Sequence, residues 1–196
     1  MIRKYIVLFL FHCTLAKRSV VFECTPRQEA EDLEAIRTKE YRYSQAMVRL
    51  GVCNLRNDHL LEGRKWLEKA EALDDPEAKN NLAVIYSEGH GVPKDSQKSF
   101  QLYLEAAEGG CSDAMHNLGI MYDTGKDQVV DIDFSEAAKW FHKAAEKNNY
   151  ESMHALGLME ISGRGVEVDI NKAANRFKKL IQSDIHPPYP NAHYML

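Results

Sequence analysis

The sequence has no excess of positive charge. Its 25 Lys and Arg are outnumbered by 29 Asp and Glu, for a net charge of −4. No basic stretch is interleaved with aromatics, so general binding to nucleic acid or to an anionic membrane is not expected. Cysteine is scarce, with four residues and no Cys-x-x-Cys pair. Were Cys13 lost with a leader, the odd set Cys24, Cys53 and Cys111 would remain, which predicts no disulfide framework. No two cysteines stand at zinc-ligand spacing, so no metal site is expected. No Asn-x-Ser/Thr acceptor occurs, although with ten Asn that absence is close to chance. The apolar run Tyr5 to Phe11 is too short to span a bilayer. Nothing matches GxxxxGK[ST], HExxH or GxSxG. No cofactor, no small-molecule substrate and no catalytic residue is expected, and membrane contact only through a partner.

What is present fits a folded domain. The chain has 196 residues, 44% apolar and 28% charged, enough for a real core. Residues 1–16 differ from the rest. MIRKYIVLFLFHCTLA has a small basic start, an apolar run and small residues at its end. That is a secretory signal pattern. A mitochondrial leader and a buried edge element are the competing readings. The first places the protein in the secretory pathway, the others in the mitochondrion or cytoplasm.

Two motifs recur. AMVRLG, AKNNLA, AMHNLG and SMHALG begin at Ala46, Ala78, Ala114 and Ser152, with starts 32, 36 and 38 residues apart. Between them KWLEKAEA, QLYLEAAE, KWFHKAAE and NRFKKLIQ begin at Lys65, Gln101, Lys139 and Asn175, with starts 36, 38 and 36 apart. Two motifs interleaved at one period predict an array of helix pairs. Ala114, Leu118 and Tyr122 form one helical stripe. A central Leu followed by a small residue appears in all four first helices: Leu50-Gly51, Leu82-Ala83, Leu118-Gly119 and Leu156-Gly157. A mid-helix Gly costs about 1 kcal/mol relative to Ala, so a close-approaching neighbour helix is expected there. Trp140, Phe141, Ala144 and Ala145 are expected on one face of the second helix.

The stretch NLAVIYSEGHGVPKD is punctuation between helices. Gly89, Gly91, Val92 and Asp95 recur 74 residues later as Gly163, Gly165, Val166 and Asp169. The first Gly of each pair is expected at a helix C-terminus with φ > 0. Each Asp is expected to cap the next helix. A phosphate loop would need a strand before it and a different pattern.

NLAVIYSEGHGVPKDSQKSFQLYLEAAEGG resembles a Sel1-like repeat, the long-looped relative of the tetratricopeptide repeat. NLGIMYDTG…DFSEAAKWFHKAAEKN matches too, with a loop two residues longer. ALGLMEISGRGVEVDINKAANRFKKL departs at Glu160, where Tyr86 and Tyr122 lead one to expect Tyr, and at Leu180-Ile181. AMVRLGVCNLRNDHLLEGRKWLEKA lacks the Gly-x-Gly loop. The resemblance implies an all-α fold, a right-handed α-solenoid of antiparallel helix pairs over residues 41–182, with repeats near 41–75, 76–111, 112–149 and 150–183. It also implies a protein- or peptide-binding scaffold or adaptor, as in endoplasmic-reticulum quality control or as a cytosolic or mitochondrial regulator. By the same resemblance, positions three and two before the central Gly/Ala and four after it face the concave groove. These are Asn80, Asn81 and Ser87; His116, Asn117 and Asp123; and His154, Ala155 and Ile161.

His116 and His154 occupy matching places. Packed helices lie about 8–10 Å apart, and a second helix separates equivalent first helices, so these two are too distant to share a metal. His142, on a second helix, is expected to face solvent. Residues 17–40 hold a polar helix candidate from Thr25, an N-terminal cap or linker. Residues 184–196 are a Pro-rich break and the start of an incomplete fifth repeat. Its open edge, Tyr194 to Leu196, offers a surface for a second copy.

Overall fold

The computed structural model describes residues 24–39 and 43–182. The leader reading of 1–16 and the edge at Tyr194 to Leu196 lie outside the described residues. Among those residues the structure is all helical, an array of antiparallel helix pairs that form two compact units, divided between Cys111 and Ser112.

The first unit holds α1 (Pro26–Thr38), α2 (Tyr43–Arg56), α3 (Leu60–Glu71), α4 (Pro76–Glu88) and α5 (Ser96–Glu108). Helices α2/α3 and α4/α5 pair, α3 packs on α4, and α1 packs on α2. The second holds α6 (Ser112–Thr124), α7 (Phe134–Glu146), α8 (Tyr150–Ser162) and α9 (Ile170–Gln182). There α6/α7 and α8/α9 pair, and α7 packs on α8. The apolar stripes face inward: Leu67, Leu82 and Ile85 in the first unit and Leu118, Leu156 and Phe177 in the second are at most 2% exposed.

The glycine reading is met in atomic detail. A Cβ on Gly119 would lie 2.5 Å from Phe141 Cε1, and one on Gly157 2.5 Å from Phe177 Cζ. At Gly51 the neighbour is Leu67 Cγ at 2.7 Å. Helix pairs therefore close on a glycine in one helix and a large side chain in the other. In α4 Ala83 fills the place and is wholly buried. Phe141, Ala144 and Ala145 are buried as expected, but Trp140 is only half-buried, with the Lys143 ammonium 3.9 Å over its ring. The reason is angular: Trp140 precedes the inward Phe141 by 100° of helix.

The loops are built alike. Gly89 and Gly163 end their helices at φ 73° and 70°, the left-handed region that glycine enters freely. The Asp95 and Asp169 carboxylates accept from Lys98 N and Lys172 N, each at 2.9 Å. Asp133 does the same for Glu136 N at 2.9 Å. The backbone N–H of each Asp also donates to the preceding helix: to Tyr86 O at 2.9 Å, Tyr122 O at 2.8 Å and Glu160 O at 2.9 Å. The longer loop after α6 absorbs its extra residues in a 3-10 turn, Lys126–Gln128.

One expectation is overturned. Cys24 and Cys53 form a disulfide, with Cα atoms 5.5 Å apart and a sequence separation of 29. Spacing arithmetic misses it because the bond depends on α1 docking against α2, not on local spacing. Thr25 caps α1 by accepting from Gln28 N at 3.2 Å, and Asp32, 2% exposed, receives Arg49 Nε at 2.9 and 3.1 Å. The cap is thus held by a covalent bond and a buried ion pair more than by apolar burial.

Candidate functional site

The candidate residues lie on first helices: on α4 in the first unit and, separately, on α6 and α8 in the second. In α4, Asn80 and Asn81 are each 4% exposed and Ser87 5%. The Asn81 amide donates to Glu77 O at 2.8 Å, one turn back. Its carbonyl oxygen Oδ1 is buried and accepts no hydrogen bond.

In the second unit the matching side chains are more accessible. His116, Asn117, Asp123, His154 and Ala155 are half-buried and Ile161 is 39% exposed. The placement follows from the helix period: His116 and Asp123 lie within about 60° of Gly119 and flank the α7 contact, while Ile120 and Asn117 turn about 100° and 160° away from it. The structure adds Leu158, 38% exposed. It stands one place after Gly157, where α4 and α6 carry Val84 and Ile120. That apolar regularity was visible in the repeats but was not read as surface.

The two histidines do not stand alone on that side. His116 lies 5.4 Å from the Phe141 ring, centroid to centroid, and His154 lies 5.7 Å from Phe177. His116 Nδ1 is 2.8 Å from Ser152 Oγ, a bond from one repeat to the next. Burial pulls the His116 pKa down from 6.5 to about 4, only partly opposed by Glu151, and lowers that of His154 as well. Both effects follow from removing an imidazolium from water. Ser152 is fully buried. The pair ties the two repeats together at a hydroxyl closed to solvent. His142 is exposed on α7, 3.4 Å from Glu146 one turn on.

Asp123 pairs through Oδ2 with Arg164 from the loop after α8, while its Oδ1 is buried and accepts no hydrogen bond. Asn149 links repeats in the same way, donating to Asp113 Oδ1 at 2.8 Å. Glu160, standing where Tyr is expected, is 2% exposed. Arg176 Nε reaches its two oxygens at 2.9 and 3.1 Å, and Lys172 Nζ lies at 3.2 Å. A buried carboxylate is tolerated only with such partners, and both come from α9. Among the described residues no group of three His, Cys, Asp or Glu gathers as a metal site, and no helix is long and apolar enough to cross a membrane.

Comparison with known proteins agrees with this architecture. No curated protein matches the sequence. The crystal structure of a Sel1 repeat protein from Oxalobacter formigenes superposes with a TM-score of 0.67 at 22% identity, over 85% of this chain and 74% of that one. A protective antigen present in uropathogenic Escherichia coli strains, displaying an SLR fold, gives a TM-score of 0.59 at 22% identity, over 79% of this chain. This chain spans 37% of that antigen. At such identities the likeness is one of fold. The Sel1 repeat itself matches residues 44–75, 76–111, 112–149 and 151–178. With four such repeats covering most of its length, the chain belongs to the Sel1 repeat family.

Proposed function

We propose that this chain is a non-enzymatic interaction scaffold that binds an extended segment of a partner protein along α6 and α8, the first helices of the repeats in its second unit. The observation that carries the reading lies on α6 and α8. Exposed Leu158 and Ile161 stand at the repeat positions of Ile120 and Asp123, whose half-buried carboxylate pairs with Arg164. A peptide backbone supplies N–H donors, and its side chains cover apolar residues. Asn117 and His154 flank the accessible side in the second unit.

A hydrolase or transferase is the reading of another class. Its best candidate pair, Ser152 and His116, joins one repeat to the next with the hydroxyl fully buried, which supports the scaffold instead. For the compartment, the Cys24–Cys53 disulfide supports an oxidising one. That favours a secretory-pathway adaptor, as in endoplasmic-reticulum quality control, over a cytosolic or mitochondrial scaffold.

The test is selection of binding peptides from a displayed library on the full chain. Asp123→Ala and Leu158→Ser/Ile161→Ser are each expected to weaken a selected peptide about tenfold, roughly 1.4 kcal/mol. Binding unchanged in both variants would place the site elsewhere.

A further inference from the structure

The loops of the second unit carry a feature that neither the fold nor the first-helix surface uses. Ile132 and Phe134 precede and open α7, and are 57% and 37% exposed. Val168 and Ile170 do the same for α9, and are 62% and 57% exposed. Each pair alternates with acids, Asp131-Ile132-Asp133-Phe134 and Glu167-Val168-Asp169-Ile170, 36 residues apart. The two loops touch: a Cβ on Gly165 would lie 2.1 Å from Phe134 O, and the Arg164 guanidinium sits 4.6 Å from the Phe134 ring. The four apolar side chains therefore lie along adjoining loops of one unit.

The fold does not require them to be apolar. Ile132 and Val168 lean on the helix-ending glycines: a Cβ on Gly125 would be 2.9 Å from Ile132 Cγ1, and one on Gly163 2.8 Å from Val168 Cγ2. In the preceding repeat Lys94 fills that same place, its Cβ 3.5 Å from a Cβ on Gly89. Ser96 stands there in place of Phe134 and Ile170. A lysine and a serine thus complete the same loop, so the exposed apolar residues of the last two repeats need another explanation. Contiguous exposed apolar surface marks interaction sites.

We propose that this edge docks an extended polypeptide segment in which basic residues alternate with apolar ones. The charge selects the partner. Asp131 and Glu167 are exposed carboxylates, and Asp133 and Asp169 add negative charge while capping their helices. Such a rim repels anionic lipid and nucleic acid and attracts Lys or Arg. The spacing selects the conformation. Apolar residues two apart match the side-chain period of an extended strand, with about 3.3 Å of rise per residue. This surface adjoins the first-helix site proposed above, since Arg164 pairs with Asp123 there and lies over Phe134 here.

The experiment uses the full chain and three labelled ten-residue peptides of alternating Lys-Leu, Lys-Ser and Glu-Leu, read by fluorescence anisotropy. Saturable binding is expected for Lys-Leu alone, weakening as salt rises from about 50 to about 300 mM. Ile132→Lys/Val168→Lys, which copies Lys94, is expected to keep the helical spectrum and lose binding by about tenfold or more. Asp131→Asn/Glu167→Gln leaves the apolar contacts in place and is expected to weaken binding about threefold and flatten the salt dependence. Equal binding of Glu-Leu, no saturation with Lys-Leu, or affinities unmoved by the carboxamide pair would overturn the proposal.

Discussion

Replacing Gly119 by alanine sets two opposed effects against each other, and the sign of the result decides between them. Alanine in a helix interior is better than glycine by about 1 kcal/mol. If nothing crowded the position, Gly119→Ala would stabilise. The structure puts Phe141 Cε1, Cδ1 and Cζ at 2.5, 2.6 and 2.9 Å from the new methyl. Ordinary contact begins near 3.4 Å, so a whole ring edge must move. Phe141 is 3% exposed and has the His116 ring on it at 5.4 Å, so the ring is confined. Overpacking of this kind costs about 1–3 kcal/mol. With a rigid ring the upper end applies, leaving a net loss of about 2 kcal/mol once the helix gain is subtracted. Gly119→Leu should lose several. Urea unfolding followed by circular dichroism measures both. A second background, Phe141→Leu, checks the cause, since there the alanine should cost far less, giving a coupling of about 1–2 kcal/mol between the positions. An alanine variant as stable as the parent, with no coupling to residue 141, would refute the close approach.

Three further outcomes are expected. Cys24→Ser/Cys53→Ser should lower stability by about 3 kcal/mol, from the entropy of the loop the bond closes, and hydrogen exchange should show α1 losing protection first. His116 is held neutral by burial, its folded pKa of about 4 lying below its ordinary 6.5. The unfolded chain therefore binds the extra proton between those values. Stability should be full above pH 6.5 and fall as pH drops toward 4, by at most about 3 kcal/mol. His116→Asn should flatten that part of the profile relative to the parent. Glu160→Gln leaves Arg176 and Lys172 facing a neutral group and should cost about 3 kcal/mol, measured by the same unfolding; a loss near zero would mean that the buried pairing contributes nothing net.

Much of the fold was legible because it is written four times. A central Leu followed by Gly or Ala recurs in all four first helices, an aromatic ring meets the glycine in the last two, and the Gly-x-Gly loop appears twice, so one repeat helps explain another. Gly89, Gly163, Asp95 and Asp169 took the conformations and caps their residue types imply. Features that occur once were harder. The Cys24–Cys53 bond arises from a cap helix outside the period, and no spacing rule reaches it. Glu160 was visible as a departure from Tyr, but its partners come from α9, at Lys172 and Arg176, and only packing reveals that they converge. At the candidate surface the repeat register located the side chains but not their exposure. Asn80, Asn81 and Ser87 are buried while Ile161 and Leu158 are open, a difference set by neighbouring helices rather than by the motif.

The central claim is that a partner segment lies along α6 and α8. Amide and methyl shift mapping by nuclear magnetic resonance, with a selected peptide titrated into the full chain, tests it most directly. The account predicts the largest shifts at Asn117, Ile120, Asp123, Leu158 and Ile161, with the second helices α7 and α9 little changed. Shifts concentrated on α7 and α9, or none at saturating peptide, would contradict it.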